Sequence, residues 1–314
     1  YHVVVVKSTV VPETTEKVVA PIIRKYNNNI GFVMNPEFLR EGNAVHDFMN
    51  PDRIVIGSTD KKSGDIVEQL YKGLDAPIIR TNPKTAEMVK YTSNSFLATK
   101  ISFTNEIGNI CKELGIDVYE VMKAVGLDFR ISPYFLNAGV GYGGSCFPKD
   151  VKALIHKAKE IGYNPILLNS VIELNEKQPL RMIKLLERKI GDLTRKKIAI
   201  LGLAFKNDTD DVRESRSIPV IKALKEKGAI IKAYDPMAIP NMKKELKNYK
   251  DIIYCNTAED ALQDADACLV MTEWNEFRYL DKEFLYMKNK VVIDGRKMID
   301  PKKIKDIDYV GLCW

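Results

Sequence analysis

The chain has 314 residues, of which 45% are hydrophobic and 29% are charged, and its formal net charge is +6. This length and composition are typical of two or three folded domains and exclude a disordered tail. The longest apolar runs have the length of buried strands, so we expect no transmembrane segment, and the first residues show no export signal. We therefore expect a cytoplasmic protein.

The cysteine, histidine and basic residues argue against a metal site and against nucleic-acid binding. The five cysteines lack CxxC spacing, the three histidines do not cluster, and most lysines are spread singly over helix-like segments. A zinc site needs clustered ligands, and a nucleic-acid surface needs a basic stripe with aromatic residues. The positive charge instead suits a small anionic ligand such as a nucleotide.

Strand-like and helix-like segments alternate at the start of the chain. The strand-like segments are HVVVVKST, GFVMNPEF, RIVIGS and APIIRT, and the helix-like ones are PETTEKVVAPIIRKY and GDIVEQLYKGL. This alternation predicts half of a doubly wound sheet. Because the chain opens inside a strand and has no GxGxxG turn, we interpret residues 1–82 as the second half of a nucleotide-binding domain.

Residues 83–192 have a helical pattern. The run TAEMVKYTSNSFLATKISFTNEIGNICKELG has apolar residues at helical spacing up to Gly115, which predicts one long helix joining two domains. Such a helix would expose apolar area if it were unpaired, so we expect an oligomer.

Strand signals return in residues 193–314. They are KKIAILGLAF, AIIKAYDP, DIIYCNT, ACLVMTEW and NKVVIDGR, and helix-like segments separate several of them. This pattern predicts a second parallel sheet with crossover helices. The expected fold class is α/β, with two doubly wound Rossmann-like parallel-sheet domains, the first only partly present, joined by a long central helix and a helical domain.

The segment GVGYGGSCFPKD, residues 139–150, is the strongest chemical signal. Its glycines remove side chains from a loop, so that a ligand could lie against bare backbone. Pro148 and the periodic run after it predict a helix that starts just behind Cys146. The helix N-terminus and Lys149 would stabilise a thiolate, which makes Cys146 a candidate nucleophile. The alternative is a buried structural cysteine beside a tight turn.

Two polar segments follow predicted strands near the start of the chain. Residues 8–10 end the first strand, where hydroxyl groups could hold phosphate or water, or could cap the helix that Pro12 is expected to open. Glu37 and Glu41 follow the next strand, where carboxylates could act as acid or base or contact a sugar hydroxyl. An ordinary surface turn is the alternative for Glu41.

Lys90 and Asn94 lie four residues apart on the long helix and therefore share one face. Together they could stabilise an oxyanion, and on spacing alone a solvent-facing position is the alternative.

Lys206 and Arg213 follow the first strand of the second sheet, where they suit a pyrophosphate. Asp210 and Asp211 between them are interpreted as the acidic start of a helix and not as a metal site. Arg296 follows the last predicted strand and could bind a ligand or cap the sheet.

Six motifs occur in one order along the chain: STV, NPEFLREG, KYTSN, GYGGSCFPKD, AFKNDTDD and DGR. Together they resemble the UDP-glucose/GDP-mannose dehydrogenase family, whose N-terminal strand and glycine fingerprint do not occur here. The resemblance implies an NAD-dependent, four-electron oxidation of UDP-glucose at C6 to UDP-glucuronate, in a homodimer. GGSC in place of GGHC favours UDP-glucose over UDP-N-acetylmannosamine. GDP-mannose, another UDP-N-acetylhexosamine, or a sugar-nucleotide-binding fragment that is inactive without the GxGxxG region are the alternatives.

The resemblance also implies roles for single residues. Cys146 would attack the intermediate aldehyde, giving a thiohemiacetal that is oxidised to a thioester and hydrolysed. Lys90 and Asp150 would transfer protons and position water, and Asn94 would stabilise oxyanions.

Further residues acquire binding roles from the same resemblance. Thr9 and Glu37 would position water or act in acid–base steps, and Arg130 would reach the substrate of the neighbouring subunit. The implied NAD contacts are Ser8, Thr9, Val10, Glu41, Lys149 and Arg213. The implied substrate contacts are Glu37, Phe38, Leu39, Arg40, Glu41, Lys90, Asn94, Arg130, Asn137, Gly141, Tyr142, Gly143, Phe205, Lys206 and Arg296.

Overall fold

The computed structural model describes residues 1–304 and 306–314. The described chain divides into two compact units: unit 1 comprises residues 1–96 and 150–165, and unit 2 comprises residues 97–149 and 166–314. The three domains expected from the sequence, with limits at residues 82 and 192, stay a prediction. Among the described residues, no helix is both long and apolar enough to cross a membrane.

The sheet of unit 1 is built from four described strands in the order β1-β2-β3-β4. They are β1 (His2–Val6), β2 (Ile30–Met34), β3 (Ile54–Ser58) and β4 (Ile78–Thr81). β1 pairs with β2 and β3 with β4 in parallel, as expected, whereas β2 and β3 are antiparallel. Hydrophobic alternation carries no information about strand direction, so the sequence did not predict this pairing. Because β3 starts at the edge where β2 ends, their connection needs no crossover.

Both faces of this sheet are covered, because successive side chains of a strand point to opposite sides. On β3, Ile54 and Ile56 pack with Val67, whereas Val55 packs with Ala86 on the other face. The helices of unit 1 include α1 (Ala20–Arg24), which a π-helical turn precedes at Thr15–Val19, α2 (Ala44–Met49) and α3 (Lys61–Gln69).

The predicted long helix is present and extends through 32 residues. The helices that follow β4 along the chain are α4 (Pro83–Leu114), α5 (Val118–Gly126), α6 (Cys146–Glu160), α7 (Ile166–Lys177) and α8 (Leu180–Ile190). Because α4 and α6 each begin in one unit and end in the other, the chain passes between the units inside regular helices.

The sheet of unit 2 contains six described strands, all parallel, in the order β10-β9-β8-β5-β6-β7. The strands are β5 (Lys197–Leu201), β6 (Ile230–Tyr234), β7 (Ile252–Tyr254), β8 (Ala267–Val270), β9 (Val291–Asp294) and β10 (Asp308–Gly311). The helices among them are α9 (Ser217–Glu226), α10 (Ile239–Glu245) and α11 (Ala258–Leu262). The strand order reverses at β5, and open α/β sheets bind ligands beyond the carboxyl ends of strands at such a point.

Candidate active site

Helix α4 buries the two polar residues that were expected on one of its faces. Lys90 is 4% exposed and its Nζ lies 3.3 Å from Glu37 Oε1, while Asn94 is 6% exposed and its Nδ2 donates to Asp150 Oδ2 at 2.6 Å. The solvent-facing alternative is therefore wrong. Burial of a polar head is tolerated here because each head has a charged partner.

Asp150, the carboxylate that accepts from Asn94, comes from a second helix. It lies in α6, four residues after the first residue of that helix, and its side chain is buried. A carboxylate near a helix N-terminus is favoured by the backbone N–H groups there. Burial, and then the charges of Asp150 and Glu87, raise the pKa of the neighbouring Tyr91 to about 12, so this phenol stays protonated at neutral pH.

The aromatic ring of the NPEFLREG motif, Phe38, lies close to two cationic side chains. The Phe38 ring centroid lies 3.9 Å from the Arg53 guanidinium carbon and 5.3 Å from Lys90 Nζ. Glu37 also accepts a hydrogen bond from the backbone N–H of Leu39 at 2.6 Å. Thus the predicted residues Glu37, Phe38 and Lys90 lie together in unit 1.

Arg40 and Glu41 lie at the exposed end of the same motif. The Arg40 guanidinium donates two hydrogen bonds to Asp47, from Nε at 2.9 Å and from Nη2 at 2.6 Å. This guanidinium holds the pKa of Asp47 well below its usual range. The predicted contact of Arg40 with substrate therefore competes with an ion pair that the sequence pattern did not reveal.

Residues 8–10 lie beyond β1 in irregular backbone, where Ser8 is exposed and Thr9 and Val10 are half-buried. They do not cap the next helix, because Glu87 of α4 does so. Its carboxylate accepts from the N–H of Glu13 at 2.6 Å, and from the N–H and hydroxyl of Thr15 at 2.8 and 2.7 Å. The expectation that Pro12 opens the helix is wrong, since Glu13 has φ +84° and the helical turn starts only at Thr15.

In unit 2, the glycine loop, residues 139–144, is buried against its own chain. A Cβ atom at Gly139 would lie 2.6 Å from the carbonyl oxygen of Gly295, and one at Gly144 would lie 2.8 Å from the Phe205 ring. The glycines are therefore required for close packing with the loops after β5 and β9. The sequence predicted a different reason, namely bare backbone open to a ligand. Instead, segments distant in sequence fill the space that the missing glycine side chains leave.

Three side-chain amides bind the backbone of the glycine loop. Asn105 Oδ1 accepts from Gly139 N at 2.7 Å, and Gln178 Nε2 donates to Gly139 O at 2.9 Å. Asn175 Oδ1 accepts from Tyr142 N at 2.8 Å and its Nδ2 donates to Tyr142 O at 3.0 Å. None of the three amide residues was predicted from the sequence. We call them the amide clamp.

Cys146 is the first residue of α6, so the helix starts at the cysteine itself. Among the five cysteines, all of which the structure describes, Cys146 is exposed and the other four are buried. The alternative of a buried structural cysteine is therefore wrong. By contrast, burial raises the pKa of Cys313 to about 12 and that of Cys255 above its usual value, so those thiols stay protonated.

The acidic pair after β5 has partners of its own. Arg213 donates from Nε and Nη2 to the Asp211 carboxylate at 2.9 and 2.6 Å, and Asp210 Oδ2 accepts from Asn241 at 2.9 Å. The helix-start interpretation is wrong, because α9 begins only at Ser217. In the described part of the chain, no group of three His, Cys, Asp or Glu residues could hold a metal ion.

Arg296 connects the loops after β9 and β8. Its backbone N–H donates to Asp294 Oδ1 at 2.8 Å, and its Nε donates to Met271 O at 3.0 Å and lies 3.2 Å from Glu273 Oε2. These contacts agree with the alternative in which Arg296 caps the sheet. The contact of Arg296 with substrate stays a prediction.

The other predicted contacts in unit 2 lie at its surface or beside the glycine loop. Lys206 Nζ lies 5.5 Å from the centroid of the Phe205 ring, which the loop contacts. Arg130 is exposed and donates to Asp128 from Nη2, and Asn137 and Lys149 are exposed as well. Buried loop positions are Gly141, Tyr142 and Gly143.

Comparison with known proteins identifies the family of the chain. Residues 1–75 match the NAD binding domain of the UDP-glucose/GDP-mannose dehydrogenase family, residues 84–177 its central domain and residues 199–301 its UDP binding domain. The UDP-glucose 6-dehydrogenase AglM of Haloferax volcanii is 46% identical over 321 residues, which cover 99% of this chain and 73% of that protein.

Solved structures agree with this result. A UDP-glucose dehydrogenase from Pyrobaculum islandicum superposes with a TM-score of 0.93 at 42% identity, over 100% of this chain and 71% of that chain. A UDP-D-ManNAc dehydrogenase from Pyrococcus horikoshii has a TM-score of 0.85 at 26% identity, over 99% of this chain and 72% of that chain. The predicted α/β fold class is confirmed, and the chain belongs to the UDP-glucose/GDP-mannose dehydrogenase family.

Proposed function

We propose that the protein oxidises UDP-glucose to UDP-glucuronate with NAD⁺ as the oxidant. Its similarity to relatives named for UDP-glucose, at 46% and 42% identity over nearly the whole chain, carries this proposal. The relative named for UDP-D-ManNAc is only 26% identical, so an N-acetylated sugar is not favoured. The matches to NAD binding and UDP binding domains agree with a UDP-sugar dehydrogenase. Neither GDP-mannose nor an inactive fragment is favoured by these similarities.

The residues after β1 fit the cofactor. Ser8 is exposed in irregular backbone beyond β1, and β2 runs parallel to β1 and ends at the same edge. Nucleotide-binding sheets present backbone groups and hydroxyls to a dinucleotide at such an edge. When bound, NAD⁺ accepts a hydride in each of the two oxidations. The residues of unit 1 proposed to hold it are Ser8, Thr9, Val10 and Glu41. The NAD contacts that the family resemblance implies for Lys149 and Arg213 stay predictions.

Cys146 is the proposed covalent nucleophile. Cys146 is exposed and is the first residue of α6. The N–H groups at the start of a helix favour negative charge, which suits a cysteine nucleophile. The thiolate adds to the C6 aldehyde, forming a C–S bond while the carbonyl oxygen takes up a proton and becomes a hydroxyl. After the second oxidation the carbon is a thioester. Water then adds, the C–S bond breaks, and the cysteine leaves as thiolate.

The residues that surround Lys90 and Asn94 of α4 are the proposed acid–base groups. We assign oxyanion stabilisation to the donors Lys90 and Asn94, because buried donors are effective where water is excluded. Asp150 and Glu37 are acceptors, suited to hold water or take its proton, and Thr9 adds a hydroxyl. The hydrogen bond from Asn94 to Asp150 and the ion pair of Lys90 with Glu37 support this division into donors and acceptors.

A homodimer is also part of the proposal. Four of the large apolar side chains that helix α4 exposes are spaced seven, seven and four residues apart, namely Phe96, Phe103, Ile110 and Leu114. This spacing puts them on one stripe of the helix, which a second copy would cover. Arg130 stays the residue proposed to reach the partner's substrate. The cytoplasmic location stays a prediction.

Oxidation by the full-length protein tests the function. With excess NAD⁺, we expect two NADH for each UDP-glucose consumed, UDP-glucuronate as the product, and far slower NADH formation from GDP-mannose or UDP-N-acetylglucosamine. One NADH per sugar with release of aldehyde would contradict the covalent route. Tight calorimetric binding of UDP-glucose without any NADH would favour a binding module.

A further inference from the structure

Four backbone groups of the glycine loop receive their hydrogen bonds from side chains of the amide clamp. The clamp residues are almost fully buried: Asn105 is 0%, Asn175 3% and Gln178 1% exposed. Buried N–H and C=O groups need partners, and in a loop no neighbouring strand or helical turn supplies them. The amides of Asn105, Asn175 and Gln178 therefore take the place of secondary structure around Gly139 and Tyr142.

The chemistry of the clamp is specific for amides. Asn175 both accepts from Tyr142 N and donates to Tyr142 O, which a neutral carboxamide can do and a carboxylate cannot. A second amide fixes the orientation of Gln178, because Asn109 Nδ2 donates to Gln178 Oε1 at 2.8 Å. A carboxylate in this buried place would cost free energy and would repel the carbonyl oxygen of Tyr142.

One of the two clamped residues, Tyr142, contacts the residue that follows the nucleophile. The Tyr142 ring packs edge-to-face on the Phe147 ring at a centroid distance of 5.9 Å, and Phe147 follows Cys146 in the first turn of α6. A shift of the Tyr142 backbone would move its ring and with it the start of α6. A displacement of about 1 Å at a reacting group can lower a rate about 100-fold.

We propose that Asn105, Asn175 and Gln178 are positioning residues that hold the glycine loop, and through Tyr142 and Phe147 the sulfur of Cys146, in the geometry for attack on the aldehyde. This inference rests on the proposed function of Cys146. None of the clamp residues needs to touch the substrate. They act through the loop, whose residues Gly141, Tyr142 and Gly143 are proposed substrate contacts. We expect the position of Cys146 to change more than these contacts, so that kcat falls more than KM rises.

Kinetics of the full-length protein test the inference with two substitutions, Asn175→Asp and Gln178→Met. Both side chains keep their approximate size but lose the donor to a loop carbonyl. We expect kcat to fall about 10- to 100-fold while KM for UDP-glucose changes less than about threefold. The control is Glu173→Gln, an exposed position on the same helix as Asn175, which should leave both constants unchanged. Wild-type kcat in both clamp variants would overturn the proposal.

Two further measurements do not depend on turnover. In Asn175→Leu, hydrogen exchange at the Tyr142 amide should become about tenfold faster while exchange in the strands of unit 2 stays slow. In the two kinetic variants, the rate of Cys146 alkylation by iodoacetamide should differ from that of Glu173→Gln. If wild-type protein makes no NADH, the proposed function fails, yet these local readouts still decide whether the clamp holds the loop. Unchanged exchange and alkylation would contradict it.

Discussion

The polar groups clustered around Lys90 in unit 1 and the side chains that bind the backbone of the glycine loop in unit 2 differ in kind. In unit 1 they include charges, such as Lys90 beside Glu37, and Asp150. Around the loop of unit 2 the neutral amides Asn105 and Asn175, with Gln178, bind backbone groups. A carboxylate or ammonium can exchange a proton, whereas an amide cannot, so the first set suits chemistry and the second suits support. The reactive group of unit 2 is then Cys146, at the end of the supported loop.

The largest expected effect comes from removing that reactive group while leaving the loop packed. In Cys146→Ser the formation of UDP-glucuronate should fall at least about 1000-fold, because a serine hydroxyl is far less ionised than a thiol and adds poorly to the aldehyde. Product analysis after incubation with UDP-glucose and NAD⁺ measures the loss. The control is Cys255→Ala, a buried cysteine in unit 2 that should leave the activity near wild type. Normal acid production by Cys146→Ser would rule out the covalent role.

A loss of charge in unit 1 should have the next largest effect. Lys90→Met removes the buried ammonium group and should lower kcat about 100- to 10,000-fold, as expected for a group that transfers a proton or stabilises an oxyanion. Steady-state NADH formation measures it. Lys84→Met, on the same helix but 57% exposed, should keep nearly full activity. If both variants behave alike, the buried cluster is not catalytic.

The packing of the glycine loop predicts a stability effect. Gly144 has φ +78° and faces the Phe205 ring, whereas Gly115 has φ +71° and open space around it. Gly115→Ala should therefore cost about 1–2 kcal/mol from backbone strain alone. Gly144→Ala should cost about 2–5 kcal/mol, since overpacking adds to the strain. Urea unfolding measures both, and equal losses would show that the loop does not pack as described.

The smallest expected effect is on the melting temperature, whose pH dependence should distinguish a charged contact from a neutral amide contact. Hydrogen bonds from Lys17 and then Lys157 hold the pKa of Glu13 below its usual value of 4.5. A carboxyl group whose pKa is lower in the folded state stabilises the fold above pH 4.5, and this contribution is lost as the pH falls. Glu13→Gln should thus lower the melting temperature at pH 7 but not near pH 3. The difference between Gln178→Met and wild type should not follow this pH dependence, because an amide does not titrate. A pH-independent effect of Glu13→Gln would contradict the ion-pair account.

Much of the fold could be predicted because apolar runs and breakers mark its elements. The run HVVVV became β1, and the long periodic run became α4. β10, Asp308–Gly311, was missed, since a short strand after a basic segment has too few residues to show a period. The antiparallel pairing of β2 with β3 was also missed, because alternation carries no information about direction.

The site was predictable where its residues carry chemistry of their own. Cys146 stood out by residue type and by the glycine loop before it. The spacing of Lys90 and Asn94 also allowed a solvent-facing position, and the pairing of Lys90 with Glu37 needed the folded chain. The amide clamp could not be predicted, because Asn105 and Asn175 look like ordinary polar residues of a helix surface. Their signal is burial, which only tertiary packing creates. The same holds for the glycines, whose close neighbours are Phe205 and Gly295.

A covalent intermediate on Cys146 tests the central claim most directly. Full-length protein is mixed with UDP-glucose and NAD⁺, quenched with acid within the first turnover, digested, and its cysteine peptides are weighed by mass spectrometry. We predict that the peptide containing Cys146 carries the added mass of the UDP-glucuronyl group, and that Cys146→Ser shows no adduct. Formation of two NADH per sugar with Cys146 unmodified, or an adduct on a different cysteine, would contradict the account.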